Sequence, residues 1–276
     1  MKKMKTFVLG IGAQKAGTTW LYNYIQNDPK CNFGQMKEYH HWNSVFIESE
    51  KYINIKKKNL FSKPIQTLNS DELLRRTMLR SENYYTLYFN SIINSGFSIT
   101  GDLTPQYSRT NLEGFKYIKK KLIEFGFNVK VIYLIRDPVE RLWSNIRMEK
   151  KLYKGIKEGL SDSDALKMLL NDKEWTTESR YEIVIERIKN VFELENIYIG
   201  IYEEMFTSVR LKKLSDFIGI DYNPDMIRKR FNVSEKKEEI DIGVLKKARE
   251  SFETTYEFCY GNFPQTKHLW EHLTES

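Results

Sequence analysis

The sequence predicts an α/β fold in which a largely parallel sheet carries helices on both faces. Four short apolar runs read as buried strands: residues 6–12 (TFVLGIG), 97–101 (FSITG), 129–135 (VKVIYLI) and 197–202 (IYIGIY). Stretches with helical spacing of apolar residues lie between them. Strands separated by helices need crossover connections, which favour parallel pairing. The chain has 276 residues and 32.9 kDa, and no repeat or Pro/Gly/Ser-rich linker divides it. One domain over residues 1–276 is therefore expected.

Taken in order, the first strand leads into a glycine-containing turn and then a helix, whose inner face is marked by Leu21, Tyr24 and Ile25. Residues 39–96 are polar and read as an irregular, substrate-side insertion before the second strand. After the third strand, Val139, Leu142, Trp143 and Ile146 recur at helical spacing. A second irregular insertion is expected near 147–175, with a helix start at Ser161–Asp164 (SDSD). Leu211, Leu214, Phe217 and Ile218 mark a helix after the fourth strand. Toward the end, Val244, Lys247, Ala248, Ser251 and Phe252 predict another helix, and residues 260–270 read as a closing loop. In such sheets ligands bind beyond the carboxyl ends of the strands, so the chemistry is expected there.

Composition narrows the classes. Hydrophobic residues at 41% and charged residues at 29% suit a globular chain and exclude a disordered one. No apolar run approaches the ~18–20 residues a membrane span needs. The first strand begins too early to leave room for a signal peptide before it. The two cysteines, Cys31 and Cys259, cannot form a disulfide framework, so a reducing cytoplasmic location is expected. A net charge of +7, from 44 basic and 37 acidic residues, favours anionic partners.

Two loops carry the chemistry. The first strand runs into Gly12-Ala13-Gln14-Lys15-Ala16-Gly17-Thr18-Thr19-Trp20. A glycine-bounded turn opening a helix directs backbone N–H groups and the positive end of the helix dipole at one point, which makes an anion cradle. The nucleotide-triphosphate version places lysine directly after the second glycine. Here Thr18 occupies that position, and the lysine lies inside the turn as Lys15. After the third strand comes Arg136-Asp137-Pro138-Val139-Glu140-Arg141-Leu142-Trp143-Ser144. Asp137, Pro138 and Glu140 read as a helix start. Arg136, at the carboxyl end of a buried strand, offers a planar fork of donors suited to a phosphate, and Ser144 could add a hydroxyl.

Together these segments resemble the sulfotransferases that use 3′-phosphoadenosine 5′-phosphosulfate (PAPS), especially the branch with heparan sulfate sulfotransferases and related bacterial enzymes. The likeness rests on QKAGTT (14–19), KEYHHW (37–42), GDLTPQYS (101–108) and LIRDPVERLWS (134–144), in family order. IYEEM (201–205), followed by LSDFIGI, is a weaker match.

The resemblance implies a P-loop-like, three-layer α/β/α fold and PAPS as sulfuryl donor, with no metal. Lys15, Ala16, Gly17, Thr18, Thr19 and Trp20 would bind the 5′-phosphosulfate. Arg136 and Ser144 would hold the 3′-phosphate. Lys15 would stabilise the leaving group, and Glu38 would act as the base, its pKa raised toward neutrality by apolar neighbours. His40 is the other candidate base. Lys37, His41 and Asp102 would meet the acceptor, a carbohydrate or other small molecule. The position after Asp102, often lysine in the family, is Leu103.

Other classes remain open on the residues alone. The same strand and loop serve nucleoside or nucleotide kinases, and the charge suits an anion or nucleic-acid binder, although no nucleic-acid motif occurs. His268-Leu269-Trp270-Glu271-His272 fits the H-x-x-E-H zinc pattern.

Overall fold

Four strands form one parallel sheet in the order β2-β1-β3-β4: β1 (Lys5–Gly12), β2 (Ile99–Leu103), β3 (Phe127–Ile135) and β4 (Ile197–Ile201). The computed structural model describes residues 5–46, 68–81, 83–152, 156, 159–229, 231 and 238–271. Helices flank the sheet. They are α1 (Thr18–Gln26), α2 (Ser70–Arg80), α3 (Tyr84–Asn94), α4 (Leu112–Glu124) and α5 (Pro138–Leu152), then α6 (Asp162–Leu169), α7 (Tyr181–Lys189) and α8 (Ser208–Ile218). The chain continues through α9 (Ile242–Ser251), α10 (Glu253–Asn262) and α11 (Gln265–Glu271).

The strand order sets where a ligand can lie. The chain passes from β1 outward to β2, then crosses back over β1 to β3. The carboxyl ends of β1 and β3 are thus neighbours at the point where the winding reverses, the place where open α/β sheets bind ligands. The Ala13 N–H donates to the Leu134 carbonyl at 2.7 Å, which joins the turn after β1 to the end of β3.

Most predicted elements appear, with instructive shifts. The second strand is displaced toward its carboxyl end and includes Asp102, which is completely buried. Its carboxylate reads as a strand end in sequence, but tertiary hydrogen bonds satisfy it inside. Residues 39–96 are not simply irregular. Their described part contains α2 and α3, while residues 47–67 lie outside the described residues. Asn69 opens α2 with a full capping box: its side chain accepts from Glu72 N–H, and the Glu72 carboxylate accepts from Asn69 N–H. Residues 147–152 continue α5, and Ser161 caps α6 by accepting from Asp164 N–H. The expected closing loop at 260–270 is helical, in α10 and α11. Trp270 is fully buried against Tyr256 and Tyr260.

An aromatic cluster on the β1–β2 side orients the loop at 37–42. Tyr39 packs on Phe89 and Tyr85, His41 stacks on Tyr85 at 4.6 Å, and Trp42 meets Tyr85 edge-on at 4.9 Å. Burying alternate members of this loop leaves Lys37, Glu38 and His40 outside the aromatic cluster. Among the described residues no helix is long and apolar enough to cross a membrane. Both cysteines are buried and unbonded.

Candidate active site

The turn between β1 and α1 is shaped by close approach. Gly12 has φ 124°, and a Cβ there would lie 2.6 Å from the Pro105 carbonyl oxygen. Gly17 has φ 90°, and a Cβ would press on Tyr202 at 2.9 Å and Met205 at 3.0 Å. Lys15 adopts a left-handed φ of 69°, uncommon for a residue with a Cβ, while its carbonyl accepts from Arg136 Nη1 at 3.3 Å. No side chain caps α1, and its first turn holds no acidic residue. Thr18 and Thr19 open the helix. Ala16 and Trp20 point their side chains inward, and the Trp20 indole donates to the Met226 carbonyl at 3.2 Å. Those two residues can offer only backbone N–H groups to an anion.

Arg136 sits beside this turn. Its Nη2 donates to Glu140 Oε2 at 3.0 Å, and its guanidinium lies 4.8 Å from the Tyr202 ring centroid. Glu140 therefore pairs with Arg136 rather than completing a capping box. Asp137 caps α5 by accepting from Val139 N–H at 2.9 Å and Glu140 N–H at 2.8 Å, and its own N–H donates to Glu203 Oε1 at 3.0 Å. Burial lifts the Asp137 carboxyl to about 6, against the pull of its hydrogen bonds and Arg249. Ser144 is buried two turns along α5.

The 37–42 loop supplies a second cluster. Lys37 Nζ donates to Glu38 Oε1 at 2.6 Å and to Thr19 Oγ1 at 3.1 Å, and approaches Thr18 Oγ1 at 3.5 Å. His40 Nε2 lies 3.4 Å from Glu38 Oε2. In the assigned amide orientation Asn43 Nδ2 donates to His40 Nδ1 at 3.2 Å, which leaves the ring proton on Nε2, facing Glu38. Arg75 Nη2 holds the Glu38 carbonyl at 2.9 Å, and Leu103 N–H holds that of Lys37 at 3.2 Å.

Electrostatics separate these groups. Burial depresses the Lys15 pKa, and Arg136, Arg147, Arg141 and Lys37 push it further down: a concentration of positive charge. Burial by itself would raise Glu38. The hydrogen bond from His40 and the charge and hydrogen bond of Lys37 outweigh it and hold the carboxyl at about 2. The elevated pKa expected from apolar surroundings is not found, because two donors converge on this carboxylate.

Two residues expected at the acceptor lie elsewhere. Asp102 is fully buried and accepts from Tyr107 Oη at 2.6 Å, Thr104 Oγ1 at 2.7 Å, Tyr85 Oη at 3.0 Å and Tyr39 N–H at 3.4 Å. It organises the loop from beneath. His41 belongs to the aromatic core, 6% exposed. Leu103 is 1% exposed and packs against Gly10 of β1. Replacing Asp102 by alanine would strand three hydroxyls and an N–H. The expected loss is at least about 4 kcal/mol of stability, since each unpaired buried donor costs on the order of 1–3 kcal/mol. Thermal unfolding checks this, and a midpoint unchanged from wild type would contradict it.

A family model for the sulfotransferase domain matches residues 5–242. The chain belongs to the sulfotransferase family. Among solved structures, a sulfotransferase from Alicyclobacillus acidocaldarius is 17% identical with a TM-score of 0.61, covering 93% of this chain and 95% of that one. The sulfotransferase domain of the Synechococcus PCC 7002 olefin synthase is 13% identical with a TM-score of 0.51, covering 94% and 96%. At these identities the likeness shows the fold. A search of curated protein sequences gives no match. The chain is thus a transferase enzyme of the PAPS-using class.

The residues of this sulfotransferase suit such a donor. A glycine turn that a Cβ would fill, an uncapped helix start and the cations Lys15, Lys37, Arg136 and Arg147 form a donor set matched to phosphate and sulfate oxygens. Among the described residues no group of His, Cys, Asp or Glu could hold a metal ion, and His272 of the H-x-x-E-H pattern lies outside them. Three residues beside the site, Tyr202, Arg75 and Arg147, escape a sequence reading, and Glu140 is read there only as part of a helix start. The i, i+4 and i+7 spacing of Glu140, Ser144 and Arg147 is the one linear signal that could have exposed part of this set.

Proposed function

We propose that the chain works as one domain that transfers the sulfuryl group of PAPS to a hydroxyl or amine of a carbohydrate acceptor. The observation supporting it is the junction of β1 and β3. Arg136 Nη1 reaches the Lys15 carbonyl at 3.3 Å, so grips for two separate anionic ends lie side by side. Lys15 and the N–H groups of residues 16–20 hold the 5′ end, while Arg136 and Ser144 hold the 3′-phosphate. PAPS supplies an activated sulfuryl group whose departure leaves charge on the 5′-phosphate. Lys15 stands where that charge grows and stabilises it electrostatically.

Glu38 takes the acceptor proton. His40 is the poorer base, because its Nδ1 accepts from Asn43 and its Nε2 proton faces Glu38. Lys37 stands between the carboxylate and the threonine hydroxyls of the turn. Moving its Nζ toward the turn would weaken its hold on Glu38 and raise the proton affinity of that carboxylate. Lys37 and the rim at His40 border the acceptor. A carbohydrate is supported by the likeness of the 37–42 and 101–108 segments to heparan sulfate sulfotransferases and by the net charge of +7. A cytoplasmic setting suits two unbonded buried thiols.

Titration calorimetry tests the donor assignment. Adenosine 3′,5′-bisphosphate should bind more tightly than adenosine 5′-phosphate or ATP–Mg²⁺. Arg136→Ala should remove much of that preference, about tenfold to hundredfold for a lost charge-assisted contact. Equal affinities for the three nucleotides in the wild type would refute it.

A further inference from the structure

Arg147 lies on the same face of α5 as Ser144, three residues beyond it, and is given no role by the motifs. Side chains on a helix lean toward its amino end. The Arg147 guanidinium does so, with its carbon 4.6 Å from the centroid of the Trp143 ring. That indole is pinned in turn, its Nε1 donating to Asp162 Oδ2 at 2.7 Å. Arg147 is therefore a planar cation laid on an anchored aromatic platform.

Two of its donor nitrogens are unused: Nε and Nη1 are both buried and have no partner among the described residues. The carboxylates whose charge reaches it, Glu140 and Asp162, are engaged elsewhere. Glu140 pairs with Arg136 at 3.0 Å, and Asp162 Oδ1 pairs with Lys150 at 2.6 Å. Arg147 also feels Arg136, and Lys15 feels both arginines, so the three cations share one region. Buried donors without acceptors are costly, and an anionic oxygen is the partner that suits a guanidinium N–H left in this state.

We propose that Arg147 is a third contact for the 3′-phosphate of the donor nucleotide, beside Arg136 and Ser144. This rests on the reading of those two residues given above. With Glu140 already on Arg136, a second guanidinium, which no carboxylate pairs with directly among the described residues, adds positive charge at this place. The insertion after α5 then has a function in donor binding, since Asp162 holds the platform on which Arg147 rests.

Calorimetry with adenosine 3′,5′-bisphosphate and adenosine 5′-phosphate tests this on the wild type, Arg147→Met and Arg136→Ala. Methionine keeps an apolar stem on Trp143 but removes the fork. Arg147→Met should weaken bisphosphate binding about tenfold to hundredfold and leave adenosine 5′-phosphate within about twofold. If Arg147→Met unfolds, Arg147→Lys reads the same difference, with a smaller loss because the charge remains. An unchanged preference in the Arg147 variant, or an equal loss for both nucleotides, overturns the inference. If Arg136→Ala loses the preference while Arg147→Met keeps it, only the Arg147 role falls. If wild type shows no preference, the donor-site reading falls with it.

Discussion

Lys15→Ala is expected to lower kcat for sulfuryl transfer by about 10²–10³, the usual loss when one preorganised group facing a developing negative charge is removed. Binding should suffer far less. The backbone N–H groups at the start of α1 and the Arg136 guanidinium stay in place, so the dissociation constant for adenosine 3′,5′-bisphosphate should change by less than about tenfold. The asymmetry follows from the surroundings of Lys15. Its ammonium is disfavoured by burial and by Arg136, Arg147, Arg141 and Lys37, and an anion in the turn relieves that repulsion. The relief is greatest where negative charge is greatest, at the leaving group of the transition state. Steady-state rates with labelled PAPS, together with calorimetry on the same preparations, measure the two effects. A kcat within about threefold of wild type would remove Lys15 from the chemistry.

Glu38→Gln should lower kcat by about 10²–10⁴, the range for losing a positioned general base, with nucleotide affinity unchanged. The free protein makes a second, independent statement about this group. Its carboxyl is held at about 2 against an ordinary value near 4.5, with burial opposing and His40 and Lys37 favouring ionisation. A depressed carboxyl contributes stability that is complete above its ordinary pKa. That contribution disappears as pH falls from about 4.5 to about 2. A carbon-detected NMR titration of the carboxyl, assigned by its absence in Glu38→Gln, should find a midpoint close to 2, and Lys37→Met should move it upward. A midpoint near the ordinary value would break the description of the triad. Full activity in Glu38→Gln, joined to inactivity in His40→Gln, would transfer the base to the imidazole.

Much of this site is legible along the chain. Gly12, Lys15, Gly17, Thr18 and Thr19 stand within one turn, so the strand, the cradle and the displaced lysine are all local features. Arg136 is recognisable for a similar reason: a charged residue at the end of the apolar run 129–135 is expected to emerge at the carboxyl end of a buried strand. Asp102 is the opposite case. A carboxylate beside a strand suggests a surface, and the hydroxyls of Tyr85, Tyr107 and Thr104 with the Tyr39 N–H, converging on it, are what allow its burial. His41 likewise carries no mark in sequence to distinguish it from His40, yet one stacks on Tyr85 and the other faces Glu38. Nothing near Glu38 in the chain announces that its pKa should fall rather than rise, because apolar neighbours and a lysine pull in opposite directions.

The amino-acid sequence by itself determined the parallel α/β architecture, the anion-binding turn after β1 and the arginine after β3. Each depends on residue types within about ten positions, where steric and hydrophobic preferences act directly. The tertiary structure alone decided which distant groups meet: Arg136 with the Lys15 carbonyl, Lys37 with the Thr19 hydroxyl, Arg75 with the Glu38 carbonyl, and Tyr85 with the buried Asp102. The reason is physical. The strength of a charge in a protein is set by the solvent removed and the partners brought near, and the fold of distant segments controls both.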